Sequence, residues 1–75
     1  MKELLEIIAG ALVDSPEEVT VTEEISGDTV ILKLSVARSD MGKVIGKSGR
    51  IAKAIRAVMN AAASKDRVKV IVDIQ

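Results

Sequence analysis

No aromatic ring, cysteine or histidine occurs anywhere in the 75 residues. Any core must therefore be aliphatic, built almost wholly from the Val, Ile, Leu and Ala that dominate the 48% hydrophobic fraction. Surface scaling lets a chain of this size bury about 60% of its extended surface, enough for one small core without metals or disulfides. The same absences exclude chemistry. A disulfide framework or a Cys/His metal site cannot form. No His or Cys can act as catalytic base or nucleophile. Stacking of bases on aromatic platforms is excluded too. The composition thus points to a binder without metal or cofactor rather than an enzyme.

Hydrophobic spacing divides the chain into short elements. Leu4, Leu5, Ile8 and Leu12 mark an amphipathic helix over 2–13, with Glu3 and Glu6 opposite. Ser15-Pro16 reads as a cap with a first-turn proline, allowing one further turn of helix. Val19, Val21 and Ile25 alternate with Thr20, Thr22 and Glu24, which predicts a strand. Ser26-Gly27-Asp28 supplies a turn, and Val30, Leu32, Leu34 and Val36 a second strand, so the pair forms a hairpin. Ser39 can cap a short helix over 40–45. A break at Gly46-Lys47-Ser48-Gly49 precedes a helix over about 50–63, whose stripe is Ile51, Ala54, Ile55, Val58, Met59 and Ala62. Val68, Val70, Val72 and Ile74 alternate as a last strand. Met41 and Met59 read as core or groove filler. The order is α-β-β-α-α-β in a single α+β domain over 1–75. Three helices cover one face of a three-stranded mixed sheet whose second and third strands, joined by a helical crossover, run parallel.

The formal net charge of zero conceals a segregation. Residues 1–37 hold two bases and eight acids, net −6; residues 38–75 hold nine bases and three acids, net +6. Lys43, Lys47, Arg50, Lys53 and Arg56 fall within 43–56 without one acid among them. Such asymmetry indicates a partner that total charge does not reveal. No apolar run approaches 18 residues, so no transmembrane helix is expected. Met1-Lys2-Glu3-Leu4-Leu5-Glu6 interrupts its apolar residues with acids and does not read as a signal peptide, which makes the cytoplasm the default location.

The chemistry concentrates in Val44-Ile45-Gly46-Lys47-Ser48-Gly49-Arg50-Ile51. Glycines permit positive φ and a close backbone approach. A loop at a helix N-terminus offers N–H groups and the positive end of a dipole to an anion. Lys47 and Arg50 add charge, Ser48 adds a hydroxyl, Lys43 lies one turn upstream, and Lys53 and Arg56 extend the basic face. This suits a phosphodiester backbone. Gly42-Lys43-Val44-Ile45-Gly46-Lys47-Ser48 imitates a nucleotide-binding P-loop, but three residues instead of four separate Gly42 from Gly46-Lys47-Ser48, and a helix precedes it where a strand is needed.

With this loop between two helices in α-β-β-α-α-β order, the sequence resembles a type II KH domain, over its whole length. A stand-alone domain of this size is similar to the small bacterial KH-domain proteins of the KhpA (YlqC) type. The resemblance implies single-stranded RNA as partner, with Gly46, Lys47, Ser48 and Gly49 clamping about four nucleotides of backbone. Ile45 and Ile51 match the flanking apolar positions, and bases enter an aliphatic groove between the loop helices and the sheet. Val44, Arg50 and Lys53 are expected to line or rim that groove, with Lys43 beside the loop and Arg38 contributing from the end of the second strand. The resemblance also implies a cytoplasmic protein that forms a homodimer or pairs with a larger KH protein of the KhpB (Jag) type. It further implies RNA-chaperone activity or post-transcriptional regulation and a link to cell length and wall synthesis. The alternative is an adaptor whose main task is to assemble a protein partner, with weak RNA contact. Ala57, Ala61, Ala62 and Ala63 either favour the helix or permit close approach of another subunit.

Overall fold

The computed structural model describes residues 1–46 and 49–75; the expectations for Lys47 and Ser48 lie outside the described residues. The elements are α1 (Lys2–Leu12), a 3₁₀ turn (Pro16–Glu18), β1 (Thr20–Ser26), β2 (Thr29–Ser35), α2 (Arg38–Lys65) and β3 (Lys69–Ile74). Within α2, Gly49 lies at φ +66°, a value that the right-handed helix excludes. The segment is therefore two helical arms meeting at Gly49, which preserves the order α-β-β-α-α-β. The arms run up to this turn, where the sequence suggests a wider four-residue gap.

β2 is the central strand. It pairs antiparallel with β1, with Val21 opposite Leu34, and parallel with β3, with Leu32 opposite Val72. Gly27 (φ +61°) opens the two-residue turn of the hairpin, the position at which a II′ turn needs glycine. Val21, Val30, Leu32, Leu34 and Val72 put one sheet face into the core. Leu5, Ala9 and Val13 reach it from α1 and its C-cap, and Val44, Ala52, Ile55 and Met59 from α2. Burial of each large aliphatic side chain contributes roughly 1.5–3 kcal/mol.

Several faces turn out rotated from their simple patterns. In α1, Leu5 and Ala9 are buried while Leu12 is exposed. The second arm of α2 buries Ala52, Ile55, Met59 and Ala63, and leaves Ala54 and Val58 exposed. Ile25 shares the inner face of β1 yet is 70% exposed. Arg38 is the first residue of α2, not the end of β2, and Ala37 rather than Ser39 is its N-cap. The Ala37 carbonyl accepts from the N–H groups of Asp40 (2.8 Å) and Met41 (3.2 Å), which starts the helix two residues early.

Asp40 is the one buried charged side chain among the described residues, 1% exposed. Its Oδ1 accepts from the Asp14 N–H (3.0 Å) and its Oδ2 from the Ser15 N–H (3.1 Å). Both carboxylate oxygens are thus satisfied by backbone donors 25 and 26 residues away, and the first turn of α2 adds a favourable dipole. The carboxylate ties the segment between α1 and the 3₁₀ turn to the root of α2. Asp40→Asn keeps the shape but sets an amide N–H₂ against a backbone N–H. It should lower unfolding free energy by about 2–3 kcal/mol, read as a lower midpoint at unchanged slope in denaturant titration.

At the other end, α2 closes in a Schellman arrangement. Val68 N–H donates to Ala63 O (3.0 Å) and Arg67 N–H to Ser64 O (3.2 Å). The left-handed position this requires is occupied by Arg67, at φ 58°, where glycine is normally found. Arg67→Gly should raise stability by about 0.5–1 kcal/mol, the relieved Cβ strain being partly offset by chain entropy; thermal unfolding checks this.

Candidate nucleic-acid interface

The first arm of α2 carries Gly42 and Gly46 one turn apart, so its surface there is bare backbone. Arg50 and Ile51 open the second arm across from it. Together with Lys43 these residues line a pocket of about 280 Å³. A Cβ added at Gly42 or Gly46 would meet nothing within 4 Å, and neither residue has positive φ. Internal packing therefore does not require glycine at either place. Gly49 also has open space around it, but its φ of +66° favours glycine. The two glycines of the loop thus serve different ends: Gly49 turns the chain, and Gly46 leaves room outside it. Gly42, which lies outside the loop motif, joins the pocket; its signal in the sequence is the i, i+4 spacing to Gly46 immediately before the loop.

The structure sorts the basic residues. Lys43 Nζ donates to Asp14 Oδ1 at 3.2 Å, so its charge is shared with an acid of the same loop that Asp40 holds by its backbone. Arg56 turns away from the loop, and its Nε donates to the Val72 carbonyl of β3 at 3.4 Å. Arg50 and Lys53 are exposed, and neither has an acidic partner among the described residues. Arg38 is exposed at the start of α2, one arm's length before the loop.

The apolar neighbours divide as well. Ile45 is 51% exposed and Ile51 is partly buried at the pocket wall. Val44 is only 1% exposed. It does not line or rim a groove; it belongs to the core, because its place on the first arm faces the sheet. Its role is to seat that arm, leaving Ile45 as the apolar residue available to a ligand. Among the described residues no group of three or more acidic side chains is placed to hold a metal ion, and no helix is long and apolar enough to cross a membrane.

The family model described as "KhpA/KhpB, KH domain" matches residues 2–74. The chain is 61% identical over 74 residues to a protein of Clostridium perfringens named RNA-binding protein KhpA, covering 99% of both chains. A protein of the same name from Clostridium acetobutylicum is 60% identical with the same coverage. The one from Chlamydia trachomatis is 50% identical, over 99% of this chain and 95% of its own. No solved structure matches the chain significantly. Half or more of the aligned positions are thus identical over nearly the full length of the chain. The chain belongs to the KhpA/KhpB family of KH domains, a non-catalytic family.

Proposed function

We propose that the protein is a non-catalytic, single-stranded RNA-binding protein that holds the phosphate backbone at the Gly46-Lys47-Ser48-Gly49 loop. The observation that carries this reading is the unneeded glycine at Gly46. With open space outside it and no positive φ, its missing side chain benefits only something that approaches from solvent. The peptide dipoles of the second arm start afresh after Gly49, so a positive helix end lies beside the same backbone. Arg50 and Lys53 add unpaired charge, Lys43 adds part of one, and Ile45 and Ile51 offer aliphatic contact to bases. Relatives named as RNA-binding proteins support the choice of ligand. Action in the bacterial cytoplasm, as an RNA chaperone or post-transcriptional regulator affecting cell length and wall synthesis, goes with this reading.

A second reading is favoured by one face of the second arm. Ala54, Ala57, Val58 and Ala61 fall at i, i+3, i+4 and i+7 and are all exposed, Val58 by 45%. Small residues there allow another helix to approach closely. A homodimer, or a pairing with a larger KhpB (Jag)-type protein, would use this face and leave the loop free. The protein's main task would then be to assemble a partner.

The variant Lys47→Asp/Ser48→Asp separates the two. It reverses the loop charge. Affinity for short single-stranded RNAs should fall by about tenfold or more, with a shallower salt dependence, while circular dichroism and association state stay as in the wild type. Unchanged RNA affinity in the folded variant would sink the clamp. Gly46→Ala is a milder probe. It should be neutral or stabilising, by up to about 1 kcal/mol, yet weaken RNA binding by about fivefold because a methyl group fills the approach space. Fluorescence anisotropy beside thermal unfolding reads both quantities.

A further inference from the structure

At the end of the second arm of α2 away from the loop lies a larger cleft, of about 570 Å³, between the end of the helix and the start of β3. Asn60 and Ser64 line it from the helix, Arg67 and Lys69 from the turn and strand, and Thr29 from the neighbouring strand. Its lining holds two cations and no acid. Neither Arg67 nor Lys69 is in an ion pair among the described residues. The acids nearest in sequence are turned to other uses or to solvent: Asp28 accepts from the Thr29 hydroxyl (3.4 Å), and Asp66 is exposed in the turn. At the end of α2 the carbonyls of Ala62, Ala63 and Ser64 accept from the N–H groups of Asp66, Arg67 and Val68.

The second arm of α2 runs from the loop to this cleft. Arg56, Asn60 and Ser64 recur at i, i+4 and i+8 along one side of α2, and the bond from Arg56 Nε to Val72 O shows that this side faces the edge of β3. Lys69 N–H donates to Asp28 O and Gln75 N–H to Leu34 O, so the odd-numbered residues turn their backbone toward β2. Val70, Val72 and Ile74 then turn theirs to the open edge. The path from Arg50 to Ser64 is about 21 Å at the helical rise, the length of about six stacked nucleotides. At its far end stands Arg67, held in a left-handed conformation that glycine would adopt without strain.

We propose that this cleft is a second phosphate-binding site, in which Arg67 and Lys69 hold the backbone of a nucleic-acid strand that leaves the loop clamp and runs along the second arm of α2. The proposal rests on the RNA-binding reading above. Arg67 is then a contact residue whose charge outweighs its backbone strain. The strand needs to be longer than the roughly four nucleotides a KH loop holds.

The test titrates a fluorescent twelve-nucleotide oligouridylate against four proteins over a range of salt. They are the wild type, Lys47→Asp/Ser48→Asp, Arg67→Gly/Lys69→Gln, and a control that removes two cations from the acidic half, Lys2→Gln/Lys33→Gln. Arg67→Gly relieves backbone strain, so a loss in that variant is not a loss of fold, and thermal unfolding verifies this. The expected result is a five- to tenfold weaker complex for Arg67→Gly/Lys69→Gln. Its slope of log affinity against log salt should be reduced by about 1.4, two phosphate contacts at about 0.7 each for a single strand. The control should match the wild type near physiological salt, where charges beyond about 8 Å are screened. Wild-type affinity and slope in Arg67→Gly/Lys69→Gln, with binding lost in the loop variant, overturn the second site and leave the clamp standing. An equal loss in the control overturns it as well, since charge alone then explains the effect. If the wild type does not bind the oligomer, the clamp and the second site fall together.

Discussion

Asp40 accepts two backbone N–H groups from residues 25 and 26 positions earlier in the chain. Those donors, at Asp14 and Ser15, lie where the chain leaves α1 and has no repeating hydrogen-bond pattern of its own. Without an internal acceptor they would have to remain hydrated, and the end of α1 could not close over the sheet. The carboxylate meets that need from the first turn of α2, where the helix dipole also favours a negative charge. One side chain thereby fixes α1 against the arm that leads to the glycine loop. Lys43, one turn further on, bonds to Asp14 and repeats the link at the surface. The pocket beside Gly42 and Gly46 is built on an arm anchored at its root by Asp40 and in its middle by Val44.

Charge in this protein is arranged by element rather than balanced locally. The acidic surplus sits on α1, the 3₁₀ turn and β1, and the basic surplus on α2 and the start of β3. Among the described residues the two meet in the Lys43–Asp14 pair, whereas the Lys33–Glu24 pair lies within the acidic half. Exposed pairs of that kind contribute little to stability. The separation is therefore better understood as a surface property, with one side presented to a polyanion and the other repelling it.

The element order, the hairpin with its glycine turn, the parallel crossover and the position of the loop could all be read from the sequence, because each depends on local spacing or on turn chemistry. The rotation of helical faces could not. On a helix crowded with alanines, Ala52 and Ala63 serve the core as well as Ala54 and Ala62 do, so hydropathy does not select the buried stripe. Packing against Leu32 and Val72 selects it. The site was legible in the same uneven way. Gly46, Arg50 and Ile51 line one pocket, and Gly49 carries the positive φ. Val44 was misplaced because an apolar residue beside a loop can face inward or outward with the same pattern. Gly42 was passed over because its spacing acquires meaning only beside a pocket.

By itself the sequence determined an aliphatic, non-catalytic α+β fold with a basic half and a glycine loop between two helices. Composition and periodicity are sufficient for that, since they fix which side chains can be buried and where φ can turn positive. Only the tertiary structure decided what each of those residues does. It made Asp40 a buried tether, Arg56 a partner of the β3 edge, Arg67 a strained cation at the mouth of a cleft, and Gly46 an opening onto solvent. The reason is physical: each of these roles depends on groups distant in sequence or on free space, and neither leaves a periodic trace along the chain.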